Sequence, residues 1–511
     1  MKKVLGRVIV VLPAIALQVL WYFLIIVLFD GLFQGYLPDI LQLIFSVLAV
    51  IFVTSLIAKR DESSYKLLWV LVITALPVLG AFFYLAFGNK NTGSKLKKNL
   101  EDSAAEINVE IPSELQGKTD EIAEEDLRLA QTLNHVSSST GFPVCRNGSS
   151  RYYPLGEDMF KDMCEDLKTA SSYIYVEYFI IQSGKFWDTM VDIMVDRIAQ
   201  GVDVRVMYDD IGSIGTYSAG DVKKLRDKGI KCVPFNPFFL LRSQLNNRDH
   251  RKIMVIDGRV AYSGGVNLAD EYINAYVKYG HWKDIGFRIT GEAVNSYTYM
   301  FSEFWNAFSG DKISTETVLS RFVDKQTEED NGFILPYYDS PMREEHTSNE
   351  LFTEILSMAT EYVWFYTPYL ILGDSLFDAL IRAAKRGVDV RIIMPGIPDK
   401  KMVFRLSRSY YRDLILAGVK VYEYTPGFVH AKAFIADDKV AGIGTVNLDY
   451  RSLFLHFECN AVFYKADIID DLKEDIINTQ EKCREVTLED TKKGLFYRFI
   501  NNVLRVFAPL L

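Results

Sequence analysis

The sequence predicts an α/β fold of two pseudosymmetric α/β sandwich halves, preceded by N-terminal transmembrane helices. Three observations predict it: apolar runs crowded into residues 1–88, a strand–helix–strand pattern that occurs twice, and a His-x-Lys-x4-Asp segment at the same place in each copy. At 511 residues the chain exceeds one typical domain. We divide it into 1–88, a membrane anchor of two or three transmembrane helices; 89–135, a linker or peripheral segment; 136–325 and 326–490, the two halves; and 491–511, a C-terminal amphipathic helix.

The anchor rests on three apolar runs, Val8–Phe29, Ile40–Ala58 and Leu67–Phe87. Each is near the roughly twenty residues a helix needs to cross a hydrocarbon core. Lys2, Lys3 and Arg7 precede the first run as they would precede a signal peptide, but the run is long for one and two more follow closely. Lys2, Lys3, Arg7, Lys59, Arg60 and Lys66 favour a cytoplasmic N-terminus and second loop, whereas Lys90, Lys95, Lys97 and Lys98 pull the end of the third run to the same side. Both orientations of the halves stay open. At the far end, Leu495, Phe496, Phe499, Val503 and Val506 share a helix face with arginines elsewhere, a pattern that suits either a membrane surface or docking on a core.

The repeat organises the rest. Tyr173–Ile181, an amphipathic stretch and Gly201–Met207 are echoed by Tyr362–Tyr366, another amphipathic stretch and Gly387–Ile393. Each reads as strand, helix, strand, with glycine ending the helix. Gly229–Val233 and Gly418–Tyr422 then supply a further helix end and strand. Such alternation gives a sheet covered by helices.

The chemistry sits at one place in both copies. His250, Lys252 and Asp257 are followed by Gly264 and Asn267; His430, Lys432 and Asp437 are followed by Gly444 and Asn447. The glycine falls 14 and the asparagine 17 positions after the histidine in each. With six histidines in the chain, about 0.03 chance matches to the short pattern are expected. Two matches at equivalent places in a repeat are therefore not accidental.

Histidine and lysine two apart on a strand face one side and converge on one anion. A phosphodiester repels nucleophiles, so a catalyst must neutralise it and supply an attacking group. Lys252 and Lys432 serve as point charges, and Asn267 and Asn447 as hydrogen-bond donors to phosphate oxygens. One imidazole attacks phosphorus while the other protonates the leaving oxygen and then activates the incoming hydroxyl. Asp284 and Glu458, 34 and 28 positions after their respective histidines, are read as the carboxylates that orient them. Asp257 and Asp437 complete the catalytic motifs, although their place at strand ends suits a turn or backbone-bonding role better than direct chemistry. Arg251 between the motif residues points away and suits a structural ion pair.

No histidine or cysteine cluster has metal-ligand spacing, so no metal and no cofactor are expected. The five cysteines give no disulfide framework. A net charge of −9 argues against a nucleic-acid partner held by a basic surface.

At these motifs the chain resembles the phospholipase D superfamily and, more closely, bacterial cardiolipin synthases. The likeness extends over nearly the whole chain, through Trp69, Pro77, Gly80, Tyr84 and Gly88, the stretch Tyr208–Ser213, Thr367 to Tyr369, and the ending Ala508–Leu511. The resemblance implies phospholipase D-like halves and a multi-pass enzyme of the bacterial cell membrane. Such an enzyme joins two phosphatidylglycerol molecules into cardiolipin plus glycerol. Phosphatidylglycerol, cardiolipin and the bilayer are then its partners. By the same resemblance His250 is the nucleophile and His430 the acid and base. Hydrolytic phospholipases, phosphatidylserine synthases and nucleases share the motif, and an inert membrane scaffold is the non-enzymatic alternative that two intact motifs oppose.

Overall fold

The structure, a computed structural model, describes residues 37–59, 62–76, 80–81, 83–85, 94–107, 118–237, 246–314 and 331–510. The first apolar run, with Lys2, Lys3 and Arg7, lies outside the described residues, as do Pro77, Gly88 and Lys90. The chain divides into two compact units, Met1–Thr92 and Gly93–Leu511.

In the first unit, α1 (Leu37–Ala58) exposes Leu43, Val47, Val50 and Ile51, and α2 (Ser63–Ala75) buries Tyr65, Leu68, Trp69 and Ile73. The Trp69 ring meets Tyr84 edge-on at 5.4 Å. Among the described residues no helix is long and apolar enough to cross a membrane. Of the apolar run Leu67–Phe87, residues 77–79, 82 and 86–87 lie outside the described residues, and its first part is the end of α2. The helix stops at Ala75 because Leu76 precedes a proline, whose ring excludes the helical region for its neighbour. Leu76 accordingly sits at φ −137°, ψ 74°.

The second unit opens with α3 (Ser94–Ile107) and α4 (Leu127–Thr140). Asp126 caps α4 by accepting the Leu129 N–H, and Gly141 at φ 81° ends it. The first half then runs β1 (Ser150–Tyr153), α5 (Gly156–Lys168), β2 (Tyr173–Tyr178), α6 (Lys185–Ile198), β3 (Asp203–Asp209), α7 (Ala219–Asp227), β4 (Lys231–Phe235), β5 (Lys252–Ile256), β6 (Val260–Gly264), β7 (Gly286–Thr290) and α8 (Val294–Phe308). The second runs β8 (Phe333–Asp339), α9 (Thr347–Met358), β9 (Tyr362–Tyr366), α10 (Asp374–Lys385), β10 (Asp389–Pro395), α11 (Lys401–Ala417), β11 (Lys420–Tyr424), β12 (Ala433–Ala436), β13 (Val440–Gly444), β14 (His456–Tyr464) and α12 (Ile468–Gln480). β15 (Cys483–Glu485) and α13 (Leu495–Val506) follow.

The sheets have the same order: β1-β7-β6-β5-β2-β3-β4 in the first half and β8-β14-β13-β12-β9-β10-β11 in the second, where β15 adds an edge. In each, three parallel strands joined by helices meet an antiparallel hairpin whose first strand follows the motif histidine. The two α/β halves read from the sequence are thus present, and period-two burial explains them. Ile174, Val176 and Tyr178 enter a core with Met163, Phe186, Trp187 and Met190 from α5 and α6. Tyr175, between them, stacks at 4.6 Å on Phe301 of α8 across the other face.

Asp257 and Asp437 settle into the backbone role. Asp257 accepts the N–H groups of Ser171, Ser172 and Tyr173 at 2.7–2.8 Å, and Asp437 those of Thr360, Glu361 and Tyr362 at 2.7–2.9 Å. Each pins the turn that starts the first parallel strand of its half, β2 or β9, so the catalytic role read for these two acids is corrected: the carboxylates are spent on amides. Burial raises the Asp257 pKa, but the donated N–H groups outweigh it and hold the carboxyl below its ordinary range. Stability from such a depressed acid is present at neutral pH and is lost as pH falls through about 4 and below. Asp257→Ala is expected to cost about 2–4 kcal/mol. Thermal unfolding in detergent checks this, with faster amide exchange at Ser171–Tyr173 as the local signature.

Candidate active site

The two motifs meet where the halves join. His250 lies two residues before β5 and His430 three before β12; Lys252 is the first residue of β5 and Lys432 directly precedes β12, so each lysine stands at the strand mouth. Just before each histidine the chain crosses to the other half. Arg248–Asp249 pairs in parallel with His456–Phe457, and Gly427–Val429 with His281–Lys283. The ladders end reciprocally: the His250 N–H donates to Phe457 O at 2.9 Å, and the His430 N–H to Lys283 O at 2.7 Å.

This pairing decides which acid each histidine meets. Glu458 follows Phe457 and Asp284 follows Lys283, so His250 Nδ1 lies 2.8 Å from Glu458 Oε2 and His430 Nδ1 lies 2.7 Å from Asp284 Oδ2. The sequence reading gave each histidine the acid of its own half; the structure exchanges them. The exchange means that neither half completes a histidine–carboxylate pair alone. A proton on each Nδ1 leaves the Nε2 lone pair available, the tautomer required of a nucleophile or base.

The acids are seated differently. Gly265 stands against Asp284, where a Cβ would fall 2.0 Å from Oδ1, so any side chain there would evict the carboxylate. The equivalent position is Thr445, whose hydroxyl donates to Glu458. Ser452 adds a second donor to Glu458 at 2.6 Å. Sequence reading missed both hydroxyls, although the Gly265/Thr445 difference inside an otherwise matched motif was the available signal.

Asn267 and Asn447 do not simply face an anion. Asn267 accepts the Ile180 N–H at 3.1 Å and donates to the Tyr272 hydroxyl at 2.8 Å, while Asn447 donates to the Ser452 hydroxyl at 3.0 Å. Each holds the residue five positions on, and Tyr272 in turn meets the His430 ring edge-on at 5.3 Å. These bonds give each asparagine a positioning role, and because an amide nitrogen carries two hydrogens they leave a donor for the phosphate role expected of it. Phe179 lies 4.8 Å from the His250 ring. Arg251 is fully buried between Glu177 and Asp249, an internal ion pair. Asp209, in the stretch quoted from Tyr208 to Ser213, accepts both Arg248 Nε and the Asp249 N–H at 2.9 Å and so fixes the segment that delivers His250.

Electrostatics suits an anion. Lys252 and Lys432 are buried, and burial depresses them to about 8 and about 7. Each ammonium bonds the carbonyl of its motif histidine. Burial followed by the adjacent Lys432 ammonium pushes His430 down to about 4, although Asp284 pulls the other way, and burial and the two lysines push His250 well below its usual value. Both imidazoles are neutral at pH 7. Burial drives the Asp284 carboxyl up, but His430 and Lys432 outweigh it and keep it below the ordinary range, whereas burial dominates at Glu458 and raises it.

Two such His/Lys pairs at a pseudo-two-fold junction of α/β halves define a phospholipase D-like protein. The family model described as cardiolipin synthase, PLD-like domain, matches residues 163–305 and 352–479, and a phospholipase D-nuclease N-terminal model matches 44–89. The chain belongs to the cardiolipin synthase family of phospholipase D-like enzymes. It is 35% identical to a cardiolipin synthase of Alkalihalophilus pseudofirmus over 94% of this chain and 96% of that one. A cardiolipin synthase 2 of Bacillus anthracis is 33% identical over 91% of each. Among solved structures, a phosphatidylserine synthase of Haemophilus influenzae shares the fold at a TM-score of 0.56 and 15% identity, covering 74% of this chain and 98% of that one.

Proposed function

We propose that this chain joins two phosphatidylglycerol molecules into cardiolipin and glycerol through a phosphohistidine intermediate at the bacterial cell membrane. The observation that carries the chemistry is the pair of buried neutral imidazoles, each oriented by the other half's carboxylate beside a buried lysine. A double displacement needs two histidines with complementary tasks, and the pseudo-two-fold supplies them.

Lys252 and Lys432 hold the diester phosphate and offset its charge. Nε2 of His250 attacks phosphorus and forms the P–N bond as the P–O bond to glycerol breaks. His430, neutral in the empty site, takes up a proton from water as the anionic diester binds beside it, and gives that proton to the departing alkoxide. The glycerol hydroxyl of a second phosphatidylglycerol then enters, loses its proton to His430, and attacks phosphorus as the P–N bond breaks. Cardiolipin leaves and both histidines return to their starting states. Two in-line displacements give net retention at phosphorus. Asp284 and Glu458 stabilise whichever imidazole carries positive charge. The relatives' names and the apolar runs support a lipid hydroxyl, rather than water, as the acceptor, with the N-terminal segment as a multi-pass anchor.

The test supplies labelled phosphatidylglycerol in detergent–lipid micelles with no divalent metal, beside a His250→Ala control. Cardiolipin and glycerol, absent from the control, are expected. Phosphatidic acid as the main product would make the enzyme a hydrolase. No product from the intact chain would overturn the choice of donor and acceptor.

A further inference from the structure

The C-terminal helix is docked in the reverse of the usual sense. A helix held on a protein core normally buries its apolar stripe and shows its polar one. In α13 the polar stripe faces the protein. Arg405 of α11 donates to Asn501 at 3.0 Å and lies 4.2 Å from the Tyr497 ring, while Arg505 donates to Ser409 at 3.0 Å and covers Tyr410 at 4.4 Å. The apolar stripe points outward: Leu495 is 84% exposed, Phe496 77% and Phe499 64%. The amphipathic pattern, which fitted a core or a membrane equally in the sequence, is thus resolved by what holds each face.

Charge indicates what covers the outer face. From Lys492 to Leu511 there are four basic residues and no acidic one, in a chain whose net charge is −9; Lys492 pairs with Glu489 and Arg505 with Asp413, which leaves Lys493 and Arg498 to meet an anionic surface. Local charge of that sign suits an anionic surface, and basic residues flanking an exposed aromatic stripe are the features of a helix lying in a lipid interface.

The helix on which α13 docks, α11, also leads to the catalytic cleft. Met402, in the first turn of α11, is 57% exposed, and Lys400 just before it donates to the Tyr369 hydroxyl at 2.8 Å. Tyr369 approaches Phe428, which lies 5.9 Å from the His430 ring. Beside them, the loop with Val277, 71% exposed, runs into Tyr279, which packs on Trp282 and Phe428.

We propose that α13, with the exposed apolar side chains of Val277 and Met402, forms a second membrane contact that lies on anionic phospholipid and holds the His430 side of the cleft against the lipid surface. This rests on the reading of the substrate as a bilayer lipid, and its test does not require turnover. Full-length Phe499→Cys protein carrying an environment-sensitive fluorophore is placed in nanodiscs of phosphatidylglycerol and phosphatidylcholine. Four of the native cysteines are buried and Cys483 is half-buried, so the labelled parent chain gives the background.

Blue-shifted emission, quenching by acyl-brominated lipid and protection from aqueous iodide are expected. Charge reversal by Lys493→Glu with Arg498→Glu should lower that quenching by about 3-fold or more in anionic discs. The triple variant Leu495→Ser, Phe496→Ser, Phe499→Ser should slow turnover of bilayer phosphatidylglycerol by roughly 10-fold or more. A probe quenched by iodide and not by brominated lipid would overturn the proposal. So would protection from both accompanied by cross-linking between chains, which would assign the face to a second copy. Lipid quenching without cardiolipin formation would sink the proposed reaction and leave this contact standing.

Discussion

His430→Ala is expected to trap a covalent phosphatidyl group on His250 when the donor carries a leaving group that needs no proton. With phosphatidylglycerol itself, the departing glycerol alkoxide must be protonated, so the variant should lose more than about 10⁴-fold in turnover. Replacing glycerol by a nitrophenol removes that need. The first displacement then proceeds, but the second stalls, because no base at position 430 draws the proton from the incoming hydroxyl. Intact-mass measurement should show the adduct, and peptide mapping under alkaline conditions should place it on His250. His250→Ala with the same donor should give no adduct and no nitrophenolate burst. An adduct on His430 in the His250→Ala protein would reverse the roles of the two histidines. Turnover retained in either variant would remove the double-displacement reading altogether.

The parts of this centre that were legible in the sequence are those set by local pattern. The strands entering the core show themselves because Ile174, Val176 and Tyr178 alternate with residues of the opposite face. Helix ends at Gly201 and Gly387 show themselves because both adopt φ near 90°, which glycine takes without strain. The histidines and lysines were found because a repeat places them twice. The pairing of acid with histidine was hidden. It depends on parallel ladders of two and three residues, Arg248 beside His456 and Gly427 beside His281, that form only when the halves meet. No periodicity survives in a segment that short, and sequence distance favours the acid of the same half. The roles of Asn267 and Asn447 were hidden for the same reason, since their partners Tyr272 and Ser452 become relevant only through ring and carboxylate contacts with the motif residues.

The exchange of carboxylates gives Asp284→Asn a distinctive expected result: it should damage the chemistry of His430, in the opposite half, and leave attack by His250 largely intact. Turnover with phosphatidylglycerol should fall by about 10²–10⁴-fold, the range seen when a base loses its orienting acid or an acid–base group is lost. The burst with a nitrophenyl donor should survive, because that half-reaction uses His250 and Glu458. Glu458→Gln should do the reverse and suppress the burst. The pH dependence separates the two further. Burial and Lys432 lower the His430 pKa to about 4 while Asp284 raises it, so removing the carboxylate should lower the pH at which His430 loses the proton it gives to the leaving glycerol, and with it the alkaline limb of kcat/KM. At the alkaline end, Lys432 at about 7 and Lys252 at about 8 lose their protons as pH rises, and with them the attraction for the diester. Bound phosphate favours the charged lysines, so the alkaline limb of kcat should lie above that of kcat/KM. Suppression of the burst by Asp284→Asn, with Glu458→Gln sparing it, would mean that each acid serves its own half in solution and that the crossed arrangement is not the working one.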